Sequence, residues 1–513
     1  MYQSIKKVIK SLFDKENQSL TKQTIENSAY SFGINIVSKL GGIIFSILLA
    51  RILLPDLYGL YSLVFSVVVT ISAFTDLGVN SALSRYLAES LSKGKKFEDE
   101  ARSRVRFLFN LKVILSFGIS LILFLLSTVI ATAIFHKPEM ALPLRMGSIY
   151  LLVLSIQGFF AMIFYPLKKL KYGLFAEVIF QVAKIGLFLL FIKMYLSVSN
   201  VFLAMALAFF ISAAFYFLII LFKHKKLFFG KLVKIEKRKI TIFLGWITLF
   251  TAFSSLYSTI NTLVLGFFVD NNFVAYYSAI LSIVLPLSVV INLGGIVLPI
   301  FTEITGKRLK RGFKKIVKYS AIVSIPSSVG LAFILIPVLR VIYGPSYVPP
   351  EFYNVILIST ILLSMLVFEE LFISLYLSLF AAKEKFNRPT ISFILMTVLN
   401  IVLDYILIKL LLPYGQIWAV LAVSIATLVT RYLNLLILGA LAKKEFRLGL
   451  NKRTILSPLL ASLIMLGFLF LFNWIFNPNL ILTIIMVGLA IILYFIFLFL
   501  IENFGDKKAK EGD

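Results

Sequence analysis

Three charged residues stand deep inside hydrophobic runs, where a purely structural sequence would put none: Lys39, Lys184 and Asp404. A charge in hydrocarbon costs about 2.5 kcal/mol or more, so such a group faces an interior cavity or a partner. Asp76, Lys112, Glu177, Glu369, Glu370 and Arg431 lie nearer the ends of their runs, and Arg85 sits at or just beyond one. Lys39, Lys112 and Lys184 place positive charge at depth in the N-terminal half, which would attract an anionic headgroup strongly in a low dielectric. Lys39, Lys184, Asp76, Arg85, Lys112 and Arg431 are therefore the candidate substrate-binding residues. For Lys39 and Lys184 a structural role stands beside the functional one: snorkelling, or pairing with a carboxylate such as Asp76 or Glu177. Lys112 and Arg431, closer to the interface, are expected to snorkel.

Asn400 and Asp404 are one helical turn apart and share a face. They could form a proton or sodium site that drives transport, or a polar pair bonding between helices. Glu369 and Glu370 are adjacent, so the sequence predicts that they point to different faces and form no acid–base pair of the glycosidase kind. The chain has no cysteine, which excludes disulfides and thiolate metal sites. His136 and His224 lie outside the hydrophobic runs without a neighbour at metal-ligand spacing, and no glycine-rich phosphate loop occurs. The expectation is a protein with no catalytic residue, no metal site and no cofactor, beyond a coupling proton or sodium ion.

The elements that position these charges follow from hydropathy. The chain has 513 residues, is 60% hydrophobic and has a mean hydropathy of +0.97, against about 45–50% for soluble domains. About 20 apolar residues cross a bilayer as a helix, and on that measure the chain is an all-α polytopic membrane protein with about 14 transmembrane helices. The expected order is a cytoplasmic amphipathic segment (1–28), a six-helix lobe (29–222), a basic connection (223–240) and a second six-helix lobe (241–441). A basic loop (442–454), two further transmembrane helices (455–502) and a cytoplasmic tail (503–513) follow. In the first segment Ile5, Val8, Ile9 and Leu12 share a face and Lys6, Lys7 and Lys10 lie off it, the pattern of a helix on an anionic surface.

The 51 Lys and Arg against 24 Asp and Glu would suggest nucleic acid in a soluble protein. Here 40 of the 51 fall on the N-terminal arm, every second connection and the C-terminal tail. That is the positive-inside distribution, so nucleic acid is excluded as a partner and both termini are expected to be cytoplasmic. A shift of 216 residues places Tyr61-Ser62 on Tyr277-Ser278, Ser66 on Ser282, Val68 on Val284 and Leu77-Gly78 on Leu293-Gly294. Six spans separate the two copies, so the repeat is parallel.

The stretch from Leu49 to Glu89 contains Ala50, Arg51, Leu53, Pro55, Tyr58, Gly59 and Tyr61, then Asp76, Leu77, Gly78 and Arg85. In this it resembles the polysaccharide exporters and O-antigen-type flippases of the multidrug, oligosaccharidyl-lipid and polysaccharide exporter superfamily. Leu54 departs from the pattern, where glycine is common, and this is expected to affect turn geometry more than function. The resemblance implies a V-shaped bundle with a central cationic cavity opening alternately to each side of the cell membrane. The substrate would be a polyprenyl-phosphate- or pyrophosphate-linked oligosaccharide, with polysaccharide-assembly glycosyltransferases or a polymerase as partners, membrane lipid as solvent, and a monomeric chain. Gating is expected at Arg51, Tyr58, Gly59, Tyr61 and Tyr277. A drug or metabolite exporter of the same superfamily would usually have 12 spans. A membrane-embedded glycosyltransferase or polymerase would need a large outer loop or an acidic metal motif, and the sequence displays neither.

Overall fold

A computed structural model of the chain describes residues 15–92, 98–233, 235, 237–291, 294–385, 387–449, 452–476 and 480–510. The expected surface helix over Ile5 to Leu12 lies outside them. Every regular element among the described residues is helical, as hydrocarbon demands of backbone polar groups that have no water to bond to. The principal helices are α1 (Lys15–Asp76), α2 (Val79–Ser92), α3 (Glu98–Val129), α4 (Ala141–Ile163), α5 (Lys171–Met194), α6 (Val198–Lys223), α7 (Lys237–Phe268) and α8 (Asn271–Ile291). They continue with α9 (Gly294–Glu303), α10 (Gly306–Ile342), α11 (Tyr353–Ser364), α12 (Leu366–Ala382), α13 (Asn387–Leu411), α14 (Ile417–Phe446), α15 (Lys452–Phe476) and α16 (Leu480–Lys510). The last helix thus runs on through the segment expected to be a tail.

Thirteen helices among the described residues are long and apolar enough to cross a membrane, and the first, Glu26–Leu91, has 66 residues. At about 1.5 Å per residue it is some three times longer than one crossing requires. Leu54 resolves this: its backbone leaves the helix (φ 58°, ψ 173°) directly before Pro55, and a residue preceding proline is disfavoured in the helical region. The run is two crossings joined by a bend, so thirteen helices make the expected 14 passes. A second interruption falls at Leu77 and Gly78, both at positive φ (42° and 74°), where the Asp-Leu-Gly sequence separates α1 from α2. Side chains such as Phe117, Val182, Phe210, Leu410, Ile484 and Phe499 are exposed, as a lipid-facing surface requires.

The repeat is visible in the helix bounds. Shifting α5 by 216 gives 387–410, against Asn387–Leu411 for α13, and the break at Gly78 falls on Gly294, where α9 begins. The contacts agree: α3 packs on α4, and α4 and α5 on α6, as α10 packs on α11, and α11 and α13 on α14.

The chain divides into two compact units, residues 1–48 with 63–255 and residues 49–62 with 256–513. The division differs from the sequence boundaries. The bend of α1 belongs by its contacts to the second unit, as do α15 and α16, which pack on α10 and on each other. The basic connection belongs to the first unit.

Candidate functional site

Within the first unit, α1 and α5 approach closely because glycine lines the contact. A Cβ on Gly41 would stand 2.3 Å from Gln181 Oε1, and one on Gly173 would stand 2.9 Å from Ile34 Cδ1. This brings Phe45 of α1 to Lys184 of α5, whose ammonium lies 4.6 Å from the Phe45 ring centroid and 5.0 Å from that of Phe180. Lys184 is buried, and on its own helix Gln181 donates to Glu177 Oε1 at 2.7 Å. Aromatic faces stabilise a desolvated cation without cancelling its charge. Lys39 is half-buried on α1, two residues from Gly41 and so about 200° around the helix from the face that meets α5. The structure does not bring Lys39 and Lys184 together. Neither forms an ion pair with a carboxylate among the described residues.

Lys112 departs from the snorkelling expected of it. Its ammonium turns inward and meets Asp76 Oδ1 at 2.6 Å, with the lysine side chain 2% exposed. The carboxylate is held where α1 ends, and its Oδ1 also lies 3.4 Å from the Asn80 N–H. Two of the expected substrate contacts therefore neutralise one another. Arg85 is exposed on α2.

Arg431 departs in the same way. In the second unit its Nη1 lies 3.2 Å from Glu369 and 3.0 Å from Glu370, and its guanidinium is 5.4 Å from the Tyr257 ring centroid. The adjacent glutamates, expected on separate faces, both reach this one guanidinium. The long, many-donor arginine spans the angle between them.

Asn400 and Asp404 are both buried on α13 and face α14. Asn400 Nδ2 donates to Thr430 Oγ1 at 3.2 Å, while Tyr277, Thr427 and Asn261 gather beside them: the Tyr277 hydroxyl is 3.1 Å from Thr427 Oγ1 and also bonds Asn261. Neither carboxylate oxygen of Asp404 has a hydrogen-bond partner among the described residues, nor has Asn400 Oδ1. An ionised carboxylate isolated in this way would cost several kcal/mol, so the geometry calls for a proton or cation on it. Tyr277, expected at the gate, hydrogen-bonds within this polar cluster. Thr427 and Thr430, three residues apart and so on one face of α14, were the signal that could have extended the site.

The remaining gate residues form a clasp in the second unit. Arg51 donates from Nε to the Ile342 carbonyl at 2.6 Å and from Nη2 to the Val341 carbonyl at 2.5 Å. These are the carbonyls that the end of α10 leaves without helical partners, at its negative pole. The Tyr347 hydroxyl donates to the Ala50 carbonyl at 2.8 Å, and the Tyr58 ring packs within 6.3 Å of Tyr61, Tyr343 and Tyr347. Gly59 is obligatory, since a Cβ there would lie 1.8 Å from the Asn271 carbonyl oxygen. Leu54 explains why glycine is common at its position, because φ 58° with ψ 173° is a region that glycine occupies without strain.

The same unit carries a hollow of about 380 Å³ between α10, α15 and α16, lined by apolar side chains such as Pro326, Leu331, Met465, Ala490 and Phe495. Its chemistry suits an alkyl or isoprenoid chain.

Comparison with known proteins places these features. The sequence profile of the polysaccharide biosynthesis protein family matches residues 24–305. No curated protein sequence matches. Among solved structures, the lipid II flippase MurJ in an inward closed conformation is 18% identical, with a TM-score of 0.69 over 92% of this chain and 98% of that one. A multidrug resistance MATE transporter of the MOP superfamily is 16% identical (TM-score 0.55, 82% and 96% covered). A MOP superfamily transporter from Pyrococcus furiosus is 15% identical (TM-score 0.55, 82% and 97% covered). At these identities the likeness is one of fold.

Proposed function

The chain belongs to the polysaccharide biosynthesis protein family, and from that premise we propose that this multi-pass transporter flips a polyprenyl-phosphate- or pyrophosphate-linked oligosaccharide outward across the cytoplasmic membrane. The observation that carries the reading is a subtraction. Of the four cations expected within the spans, Lys112 and Arg431 are ion-paired internally, whereas Lys39 and Lys184 make no ion pair among the described residues, Glu177 acting on Lys184 only at longer range. Fixed positive charge in a membrane-spanning unit is suited to an anionic headgroup that hydrocarbon would otherwise exclude. Lys39, half-buried, is the contact; Lys184 in its aromatic cage adds positive potential behind it. The apolar hollow of the second unit suits the lipid tail, which a small polar solute would not need.

Asp404 and Asn400, with Asn261, Tyr277 and Thr427, are the coupling site, taking a proton or a sodium ion. The clasp of Arg51, Tyr58, Gly59 and Tyr61 is the gate, made and broken as access alternates. No covalent step is required, since the headgroup exchanges one set of charge contacts for another. Assembly enzymes that make or consume the lipid-linked sugar are the partners.

The test is flipping of a fluorescent polyprenyl-pyrophosphate-linked sugar in proteoliposomes. Lys39→Ala and Lys184→Ala should each slow it about tenfold or more, the worth of one charge-assisted contact, while Lys225→Ala should leave it unchanged. Wild-type flipping by both variants would make the lysines structural. A second reading, a cation-coupled exporter of small solutes, is favoured by the Asp404 cluster alone, and saturable export of such a solute without flipping would establish it. Orientation is tested separately: a cysteine at Lys137, and not at Glu98, should react with an impermeant thiol reagent in intact cells.

A further inference from the structure

The connection that the sequence presents as a free basic linker is fastened to the first unit. Arg102, buried near the start of α3, donates from Nε to the Lys226 carbonyl at 2.6 Å and from Nη1 to the Lys231 carbonyl at 2.7 Å, while Nη1 also meets Asp99 Oδ1 at 2.5 Å. The Val233 N–H donates to Ser103 Oγ at 2.8 Å, and Phe228 packs edge-on against Phe109 at 5.5 Å. Gly230, at φ +138°, lets the strap cross the guanidinium, because a Cβ there would stand 2.6 Å from Arg102 Cζ. These contacts fix residues 226–233 over the end of the helix.

One turn beyond Arg102, on the same side of α3, Arg106 emerges past the strap. Arg102 has Asp99, and Arg104 has Glu89 and Glu100, but Arg106 is exposed and pairs with no carboxylate among the described residues. It borders a hollow of about 540 Å³ whose other walls include Phe107, Asn110, Leu232, Val233 and Ile235. The hollow is polar at Arg106 and Asn110 and apolar along the strap. Continuing along α3 from Asn110 at helical spacing, Ile114, Phe117 and Leu121 are 68%, 58% and 44% exposed. One face of the helix therefore passes from a cationic head to an open apolar track, at the end of the span that the charge distribution makes cytoplasmic.

We propose that this hollow binds one anionic membrane phospholipid, its phosphate on Arg106 and Asn110, its chain along Ile114, Phe117 and Leu121 beneath Leu232 and Val233. The exposed guanidinium, with no carboxylate beside it among the described residues, attracts an anion. The apolar walls and the track beyond them require a chain attached to it, which inorganic phosphate lacks. Lys231 on the strap adds positive charge at headgroup level, where each basic residue strengthens attraction to an anionic leaflet, whereas Lys226 lies 4.0 Å from Glu98. The lipid bridges strap and α3, so it completes the fastening that Arg102 begins.

The experiment is native mass spectrometry of the full chain in mild detergent, titrated with phosphatidylglycerol, with phosphatidylcholine, with a polyprenyl phosphate, and with inorganic phosphate as competitor. Wild type should hold one phosphatidylglycerol at least about tenfold more tightly than phosphatidylcholine. Arg106→Ala, at an exposed position that leaves the fold intact, should abolish that preference. Val233→Asp should do so by repulsion from the strap, and Arg102→Ala, which does not touch the lipid, should weaken binding by freeing the strap. Lys307→Ala should bind as wild type. Equal retention by Arg106→Ala, equal binding of the zwitterionic lipid, displacement by millimolar phosphate, or preference for a polyprenyl phosphate over phosphatidylglycerol would each overturn the proposal.

Discussion

In the second unit the deep arginine is matched by two glutamates, and the group left unpaired at depth is the carboxyl of Asp404. In the first unit Lys112 is matched by Asp76, while the ammonium groups of Lys39 and Lys184 make no ion pair among the described residues and Glu177, bonded by Gln181, acts on Lys184 only at longer range. The two repeats share helix spacing and packing, yet after internal pairing the first keeps ammonium groups without an ion pair and the second a carboxyl group without a hydrogen-bond partner among the described residues. A duplicated scaffold thus carries different unpaired groups in its two halves. The comparison teaches that a buried charge cannot be assigned by its depth alone; what decides its role is whether a partner remains after the helices pack.

The largest effects should come from breaking the internal pairs. Arg431→Met leaves the buried Glu369 carboxylate uncompensated and should destabilise the fold by about 3–5 kcal/mol, read as lost thermal stability in detergent, and Lys112→Met, whose partner Asp76 is only half-buried, should cost less. Asp76→Asn combined with Lys112→Met should recover most of the loss. Lys39→Met and Lys184→Met should spare stability while slowing flipping; if they too unfold the protein, the contrast between matched and unmatched cations collapses.

Gly59→Ala comes next. The added carbon overlaps the Asn271 carbonyl, so the clasp should lose about 1–3 kcal/mol, with transport impaired and both lysine sites intact. A fully active Gly59→Ala variant would remove the clasp from the mechanism.

Asp404→Asn sharpens the contrast between the units. It removes the group that could take up a proton or cation while keeping its shape, and gradient-driven stimulation of flipping should fall about tenfold, with folding unimpaired. Imposing a sodium gradient and a pH gradient separately identifies the ion. Undiminished stimulation by both gradients would return Asp404 to a structural role.

The smallest effect is expected at Leu54. Leu54→Gly relieves a backbone conformation that costs about 1–3 kcal/mol in a residue with a side chain, partly offset by the entropy of glycine, so a gain of about 1 kcal/mol should appear in thermal unfolding. Destabilisation would mean that the exposed leucine side chain holds the bend in place.

Composition and charge by themselves determined that this chain crosses a membrane about 14 times, and which helix ends carry the positive charge, because partition into hydrocarbon depends on runs of neighbouring residues. The 216-residue shift located the parallel repeat for a similar reason, since equivalent helices keep their spacing. The Asn400–Asp404 pair was legible because helical periodicity alone puts both on one face. Tertiary packing decided the rest. Lys112 finds Asp76 on a helix 36 positions earlier, Arg431 gathers two glutamates from α12, and the bend at residues 49–62 takes its contacts from the second unit. Arg102 binds strap carbonyls more than 120 residues away. Hydropathy and periodicity vary along one dimension, whereas a charge is neutralised by whatever packing brings within about 3 Å, and that distance is fixed only when the helices meet.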